Sequence, residues 1–435
     1  MLLLCLFLLS CSKDKDSVVE EEATALANPS ANHKEQVTLP NRSQKRGVAF
    51  NFQLEDDIFA LYKAASWCYN WGTKETDNIY QYLTLTKIDF FPMAWGANFS
   101  AQEIIDWKTA HPECEYVLAF NEPNLTDQAN ITPQQAAQAW VGLKDVADKY
   151  NLKVVAPAMN YGTLSGYSDP IVWLDEFFSY VPKENFAALS IHCYMNSVYA
   201  LKSYVERFKK YNLPIWMTEF CAWDGGVANV EAQMDYMCDV ISYFEQTNDI
   251  ERYAWFIPRT SNSIDTAPYM QLLTHTLPTE LTPLGTIFEA LPNLSDPALQ
   301  AAEMPINVNL FSACTQKDYL DGKEGFSAAP HLRPTTDIES ANQQWMINYF
   351  FKNQWVEYRL EALETLENFQ FRYKSNGEPI IYVRIDNQKD RIVVLPSSSD
   401  WTTYTENFPL SEGMHTVRIT MNSGFCDLAW FNWTK

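Results

Sequence analysis

Tyr116-Val117-Leu118-Ala119-Phe120-Asn121-Glu122-Pro123-Asn124 is the stretch that decides how this chain folds. Its first five residues are apolar or aromatic without alternation, as in a parallel strand covered on both faces. A turn follows, and then Thr132-Pro133 sets a cap residue ahead of a proline in a first helical turn. Beyond it Ala136, Ala139, Trp140, Leu143 and Val146 recur at three- and four-residue steps, which predicts a helix with one apolar face. Outward from this unit, eight such runs can be read between Arg46 and about Pro292. They are Gly47 to Phe50, Ala65 to Tyr69, Phe90 to Trp95, Tyr116 to Phe120, Val154 to Ala158, Leu189 to Tyr194, Ile215 to Phe220 and Tyr253 to Ile257. Helix-period segments lie between them, one opened by Ser100 and Glu103 in capping-box spacing. Strand alternating with helix means a parallel sheet. Eight repeats, with no Gly-rich phosphate turn after the first run, predict an α/β fold of the (β/α)8 TIM-barrel type rather than an open doubly wound sheet.

Past Pro292 the period changes to two. Phe369-Gln370-Phe371-Arg372-Tyr373 alternates, Asn376-Gly377 supplies a turn, Ile380 to Ile385 follows, and Val417, Ile419 and Met421 alternate again. An antiparallel β-sandwich over residues 305–435 is expected, joined by a linker at 294–304 to a barrel at 45–293.

At the other end, Leu2 to Leu9 is an apolar run far shorter than the roughly 20 residues a spanning helix needs. It reads as the core of a signal peptide over residues 1–11. Leu8-Leu9-Ser10-Cys11 resembles a bacterial lipobox, which implies a lipid on Cys11. The following Ser-Lys-Asp-Lys-Asp is similar to the export signal of Bacteroidetes surface lipoproteins, so an outer-membrane, lipid-anchored, cell-surface location is expected. Residues 12–44 are polar, without an apolar period, and read as a disordered tether.

Of 435 residues, 54 are acidic and 32 basic, a formal net charge of -22 that would repel nucleic acid. Aromatics make up 14%, including 14 Trp and 23 Tyr, and flat amphipathic rings suit a neutral sugar. The seven cysteines outside the signal segment show neither metal-ligand spacing nor an even count, so they are expected as small buried residues, with no metal site.

In such a barrel, catalytic side chains stand where strands end. The fourth run ends in Glu122 and the seventh holds Glu219. A Glu beside apolar strand residues is costly without a partner, and either alone would suit a structural salt bridge. Two at matching depth are the equipment of glycoside hydrolysis. Asn121 is placed to donate to a sugar 2-hydroxyl, or to serve as a turn residue. His192 and Tyr194 close the sixth run, and one or the other is expected to orient Glu219, a lone His there being otherwise a satisfied core group. Trp67, Trp71, Trp95 and Trp255, at strand-end motifs, are expected to bring several rings to the mouth as stacking platforms.

Ser66-Trp67-Cys68-Tyr69-Asn70-Trp71-Gly72, Phe91-Pro92-Met93-Ala94-Trp95-Gly96, Phe120-Asn121-Glu122-Pro123-Asn124 and Arg252-Tyr253-Ala254-Trp255-Phe256 together resemble glycoside hydrolase family 128 of clan A. The resemblance covers nearly the whole barrel. It implies a retaining endo-β-1,3-glucanase needing no catalytic cofactor, with Glu122 as acid/base and Glu219 as nucleophile; Asn70, Trp71, Trp95, Asn121, His192, Tyr194 and Trp255 are expected around the substrate.

More loosely, Gln354-Trp355-Val356-Glu357-Tyr358, Asp400-Trp401-Thr402-Thr403-Tyr404, Met414-His415-Thr416-Val417-Arg418 and Asp427-Leu428-Ala429-Trp430 resemble a family 6 carbohydrate-binding module. That likeness implies a sugar held between Tyr349 and Trp401, with Asp427 where an Asn often stands. The amides of Asn307 and Asn309, where that family tends to carry acidic ligands, argue against a structural calcium ion. Two other readings stay open: a hydrolase of another β-glycan, such as mannan or mixed-linkage glucan, and a surface glycan-binding lipoprotein without turnover.

Overall fold

The computed structural model describes residues 37–317, 328–339 and 343–435. The expected signal segment, Cys11 and the tether up to residue 36 lie outside the described residues. The tether's expected end at 44 is too late, because Arg42 is buried and donates to the carbonyls of Tyr62, Thr86 and Lys87.

The chain is mixed α/β. Strands β1 (Arg46–Ala49), β2 (Trp67–Tyr69), β3 (Asp89–Phe90), β4 (Tyr116–Leu118), β5 (Lys153–Met159), β6 (Ala188–Met195), β7 (Ile215–Asp224) and β8 (Ile250–Trp255) each overlap one expected run. Helices α1 (Glu55–Leu61), α2 (Asp77–Thr86), α3 (Ala101–Ala110), α4 (Pro133–Tyr150), α5 (Pro170–Tyr180), α6 (Val198–Phe208), α7 (Val230–Gln246) and α8 (Pro283–Ala290) alternate with them. The strands form one parallel sheet in the order β3-β2-β1-β8-β7-β6-β5-β4. Its edges meet through a parallel bridge, Met93 to Leu118, so the sheet curls in a TIM-like arrangement. The third run stops being a regular strand at Pro92, which has no N–H for the ladder. The Pro92 carbonyl still accepts from Leu118 N at 2.9 Å, and Ala94 N donates to Leu118 at 2.8 Å. Thr132 makes a full capping box with Gln135 on α4. On α3 the Ser100 side chain accepts from Glu103 N, while the Glu103 carboxylate bonds Thr73.

The rest is antiparallel but for one strand. Strands β9 (Leu299–Ala301), β10 (Ala313–Cys314), β11 (His331–Pro334), β12 (Trp345–Phe351), β13 (Trp355–Ala362), β14 (Leu366–Ser375), β15 (Ile380–Ile385), β16 (Arg391–Val394), β17 (Ser398–Leu410), β18 (Gly413–Ser423) and β19 (Phe425–Thr434) build two sheets. One runs β10-β13-β18-β15-β16, with β9 beside β13; the other runs β11-β12-β19-β14-β17. Val356, Tyr358, Ile381, Val383, Val417 and Ile419 of the first and Phe369, Phe371, Leu428 and Phe431 of the second are fully buried in a common core, consistent with the expected sandwich. Residues 294–304 are not a free linker, since β9 pairs in parallel with β13.

The two parts are joined along α7. Buried Asp239 accepts from Lys317 Nζ (2.9 Å) and Ala329 N (2.9 Å) and faces His331 Nε2 (3.3 Å), and Asp235 pairs with Arg333. At the far end of α7, Gln246 accepts from Cys314 N. All seven described cysteines are free and buried. No helix among the described residues is long and apolar enough to cross a membrane, and no group of three or more His, Cys, Asp or Glu among them is placed to hold a metal ion.

Candidate active site

Glu122 and Glu219 are both buried, Glu122 four residues past the end of β4 and Glu219 within β7. Between those strands lie β5 and β6, and each contributes a side chain. His192 on β6 is fully enclosed; its Nδ1 lies 3.0 Å from Glu122 Oε1 and 3.6 Å from Glu219 Oε2. Asn160, just past β5, donates its Nδ2 to the same Glu122 Oε1 at 3.0 Å. Glu122 has a left-handed backbone (φ 43°), a conformation that costs a non-glycine residue about 1 kcal/mol or more. Backbone bonds hold it there: Glu122 N donates to Ala158 O and Leu125 N donates to Glu122 O, both at 3.0 Å.

Glu219 is surrounded by donors. Oε1 accepts from Tyr69 OH at 2.9 Å and Trp71 Nε1 at 2.8 Å, and Oε2 accepts from Tyr194 OH. Burial and the carboxylate of Glu219 push both phenols well above their ordinary pKa, so they remain donors. Burial also raises the pKa of Glu219, as does Glu122, against the opposing effects of His192, Tyr194 and Trp71. Burial works against a charged His192, yet the two carboxylates outweigh it and its pKa is raised.

The two carboxylates are therefore unlike. Both oxygens of Glu219 are committed as acceptors, which suits an ion. Glu122 is held by one oxygen only: among the described residues nothing donates to Oε2, and that atom is not among the enclosed, unpartnered ones. An acid that must deliver a proton needs such an oxygen.

Residues 47–288 match the family model described as glycosyl hydrolase catalytic core. The chain belongs to this family. It is accordingly an O-glycoside hydrolase. Among solved structures, a subgroup II family 128 endo-β-1,3-glucanase from Pseudomonas viridiflava is 37% identical and aligns over 58% of this chain and 99% of its own, with a TM-score of 0.52. A second, from Sorangium cellulosum, is 30% identical over 56% of this chain and 97% of its own, with a TM-score of 0.51. Alkali-sensitive linkage protein 1 of Schizosaccharomyces pombe is 26% identical over 233 residues, which are 50% of this chain and 39% of that protein. The chain thus spans well under half the length of that curated relative.

Other expected residues of this glycosyl hydrolase fall differently. Trp95 is half-buried and packs, with Trp71, against the cluster inside the curled sheet. Trp71 is a donor to Glu219, which ties its ring to the carboxylate. Trp255 is fully buried, donates to Met270 O at 2.8 Å and meets Phe220 edge-on, so it cannot stack on a sugar. Successive strand residues point to opposite faces. It is the next residue, Phe256, that reaches the cleft side, edge-on to Trp71 and Tyr194. Trp67 is also fully buried, against Trp216. Asn70 builds its own loop, donating to Lys74 O and Glu75 and accepting from Gly72 N, and does not reach the carboxylates. Asn121 donates one amide hydrogen to Gln128 at 3.3 Å; its enclosed Oδ1 has no partner among the described residues.

Tyr69, Asn160 and Phe256 were not singled out by the sequence. All three end or follow expected strand runs, so the rule that led to the two Glu residues reaches them too; their neutral side chains carry no charge signal.

On the sandwich, Tyr349 is 53% exposed, and its ring lies 4.6 Å from that of Phe425. Asp427 is already engaged, accepting from Tyr349 N at 2.7 Å and pairing with Lys374 at 3.3 Å. Lys374 Nζ also stands 5.1 Å from the centre of the Trp401 ring, while Trp401 Nε1 donates to Thr336 at 3.1 Å. Asp427 thus braces the row from Tyr349 to Trp401 instead of lying free for a sugar. Asn309 is used at the domain junction, donating to Ala290 O.

Proposed function

We propose that this chain is a retaining endo-β-1,3-glucanase working by double displacement in a (β/α)8 barrel, with Glu219 as nucleophile and Glu122 as acid/base. The observation that carries the roles is the unequal distribution of donors, filling both oxygens of Glu219 and only one of Glu122. In the first step a Glu219 oxygen bonds C1, the C1–oxygen bond to the leaving sugar breaks, and the Glu122 proton goes to that oxygen. In the second, water attacks C1, gives its proton to Glu122, and the bond to Glu219 breaks to restore both groups. The spacing is compatible with retention. The oxygens facing His192 Nδ1 are no further apart than contacts of 3.0 and 3.6 Å laid end to end. That reaches only the lower edge of the roughly 6.5–9.5 Å typical of inverting enzymes.

The linkage is supported by the 37% and 30% identity to two endo-β-1,3-glucanases. We further assign the sandwich as a carbohydrate-binding module, and the chain to the bacterial cell surface through a lipid on Cys11. Reducing-end release from laminarin, mannan and barley glucan tests the substrate: rapid release from laminarin is expected, and preference for mannan would overturn it. The anomer first formed, read by proton NMR, tests retention.

A further inference from the structure

Glu122 Oε1 accepts from Asn160 Nδ2 and faces His192 Nδ1, both at 3.0 Å, and this arrangement chooses between the two oxygens of the acid. Asn160 Oδ1 accepts from Tyr161 N at 2.8 Å, which fixes the side-chain amide so that Nδ2 must face Glu122. The Asn160 carbonyl accepts in turn from Asn124 Nδ2 at 2.7 Å. Asn124 is fully buried two residues after Glu122, and its own carbonyl accepts from Thr163 N and Leu164 N. Gly162 completes the fit, since a Cβ there would lie 2.3 Å from Asn124 O. The loop after β5 and the loop carrying the acid are thus locked as one piece. A proton on Oε1 would point at the amide hydrogens of Asn160; a proton on Oε2 meets no donor.

We propose that Asn160 is a positioning residue that keeps Oε1 an acceptor and so commits the transferable proton of the acid to Oε2. The proposal rests on the hydrolytic roles given above. In the first step the proton leaves Oε2 for the departing oxygen; in the second, Oε2 takes one from water. Asn160 touches no reacting atom and acts through Glu122 alone.

The test is Asn160→Asp, which keeps the shape of the side chain and the acceptor for Tyr161 N but replaces the donor with an oxygen. A proton is then shared between the introduced carboxylate and Glu122 Oε1, away from the leaving group. Two substrates are compared: a β-1,3-oligoglucoside, whose leaving sugar needs the proton, and the matching β-glycosyl fluoride, whose leaving group does not. Expected are a fall of about 10- to 100-fold in kcat/KM on the oligoglucoside, carried by kcat, a change within about twofold on the fluoride, and a basic limb moved to higher pH. Equal losses on both substrates, or an unchanged pH profile, overturn the proposal. If Asn160→Asp does not fold, Asn160→Ser, too short to reach Glu122, is read by the substrate ratio alone. A wild-type enzyme that turns over both substrates while the variant fails to discriminate removes the role of Asn160 only. A wild type that turns over neither removes the hydrolytic reading and this proposal together.

Discussion

His192 and Glu122 meet at 3.0 Å, Nδ1 to Oε1, and the same nitrogen stands 3.6 Å from Glu219. One enclosed imidazole therefore reports the charge on both carboxylates. In the proposed mechanism Glu219 must be ionised to attack, and its pKa is raised, chiefly by burial. Activity is present above that raised value and lost as pH falls through it, so the acid limb should lie above the ordinary Glu range near 4.3. Tyr194→Phe removes a donor that stabilises the ion and should move the acid limb of kcat/KM to higher pH. A limb that stays or moves down would contradict the contact.

Replacing the proposed nucleophile is expected to be severe. Glu219→Ala should lower turnover by roughly 10⁴-fold or more, and azide should restore part of it with an inverted product, because a small anion enters the vacated space. Turnover near the wild-type rate would remove Glu219 from the chemistry.

The acid should show itself through the leaving group. Glu122→Gln is expected to slow unactivated oligosaccharides by about 10²–10⁴-fold and activated aryl glycosides far less. Similar losses on both would mean that Glu122 does not deliver the proton.

On the sandwich, Trp401→Ala should weaken retention on insoluble curdlan and leave cleavage of short soluble oligosaccharides alone. A ring of this kind contributes on the order of 1 kcal/mol by stacking. Its Nε1 bond to Thr336 is with a side chain at the surface, so the melting temperature should change little. A sharp fall in melting temperature would instead assign the ring to the fold.

The junction on α7 is expected to be acid-sensitive. Burial raises the pKa of Asp239, but His331 and Lys317 outweigh it and the net direction is down. A carboxylate held low in the folded state stabilises above the ordinary Asp value near 3.9, and that contribution is lost as pH falls through the depressed one. Asp239→Ala should cost about 2–3 kcal/mol near neutral pH, less than for a fully enclosed pair because Lys317 and His331 reach solvent. Stability curves of the two proteins should converge in acid; a constant gap down to pH 2 would count against the ionic origin.

The eight strands were legible because a parallel strand buried on both faces writes itself as an unbroken apolar run, and Glu219 stood out as a charge inside one of them and Glu122 as a charge just past another. Pro92 hid the end of the third run, since it has no amide to keep the ladder regular. Trp255 stood out in place of Phe256 because an unbroken run does not say which of two neighbours faces the axis. Asn160 and Tyr69 were missed for a different reason: a neutral amide and a phenol at strand ends gain meaning only when the curl brings them against a carboxylate. In the sandwich, two-residue alternation marked β14, β15 and β18, whereas β9 spans only Leu299–Ala301, too short to display a period. The bracing of Asp427 by Lys374 depends on cross-strand register, which no local pattern specifies.

The ties along α7, from Asp235 and Asp239 at one end to Gln246 at the other, leave the sandwich no swivel. An enzyme whose binding domain hangs on a loose string can adsorb to a fibre and still turn its mouth toward whichever strand lies nearby. With the carbohydrate-binding role proposed for the sandwich, the heading of the mouth is fixed at the moment it lands. On an ordered glucan surface only chains running along that heading come within reach, so attack should leave oriented tracks, while free oligosaccharides, which tumble to meet the cleft, are cut without regard to it.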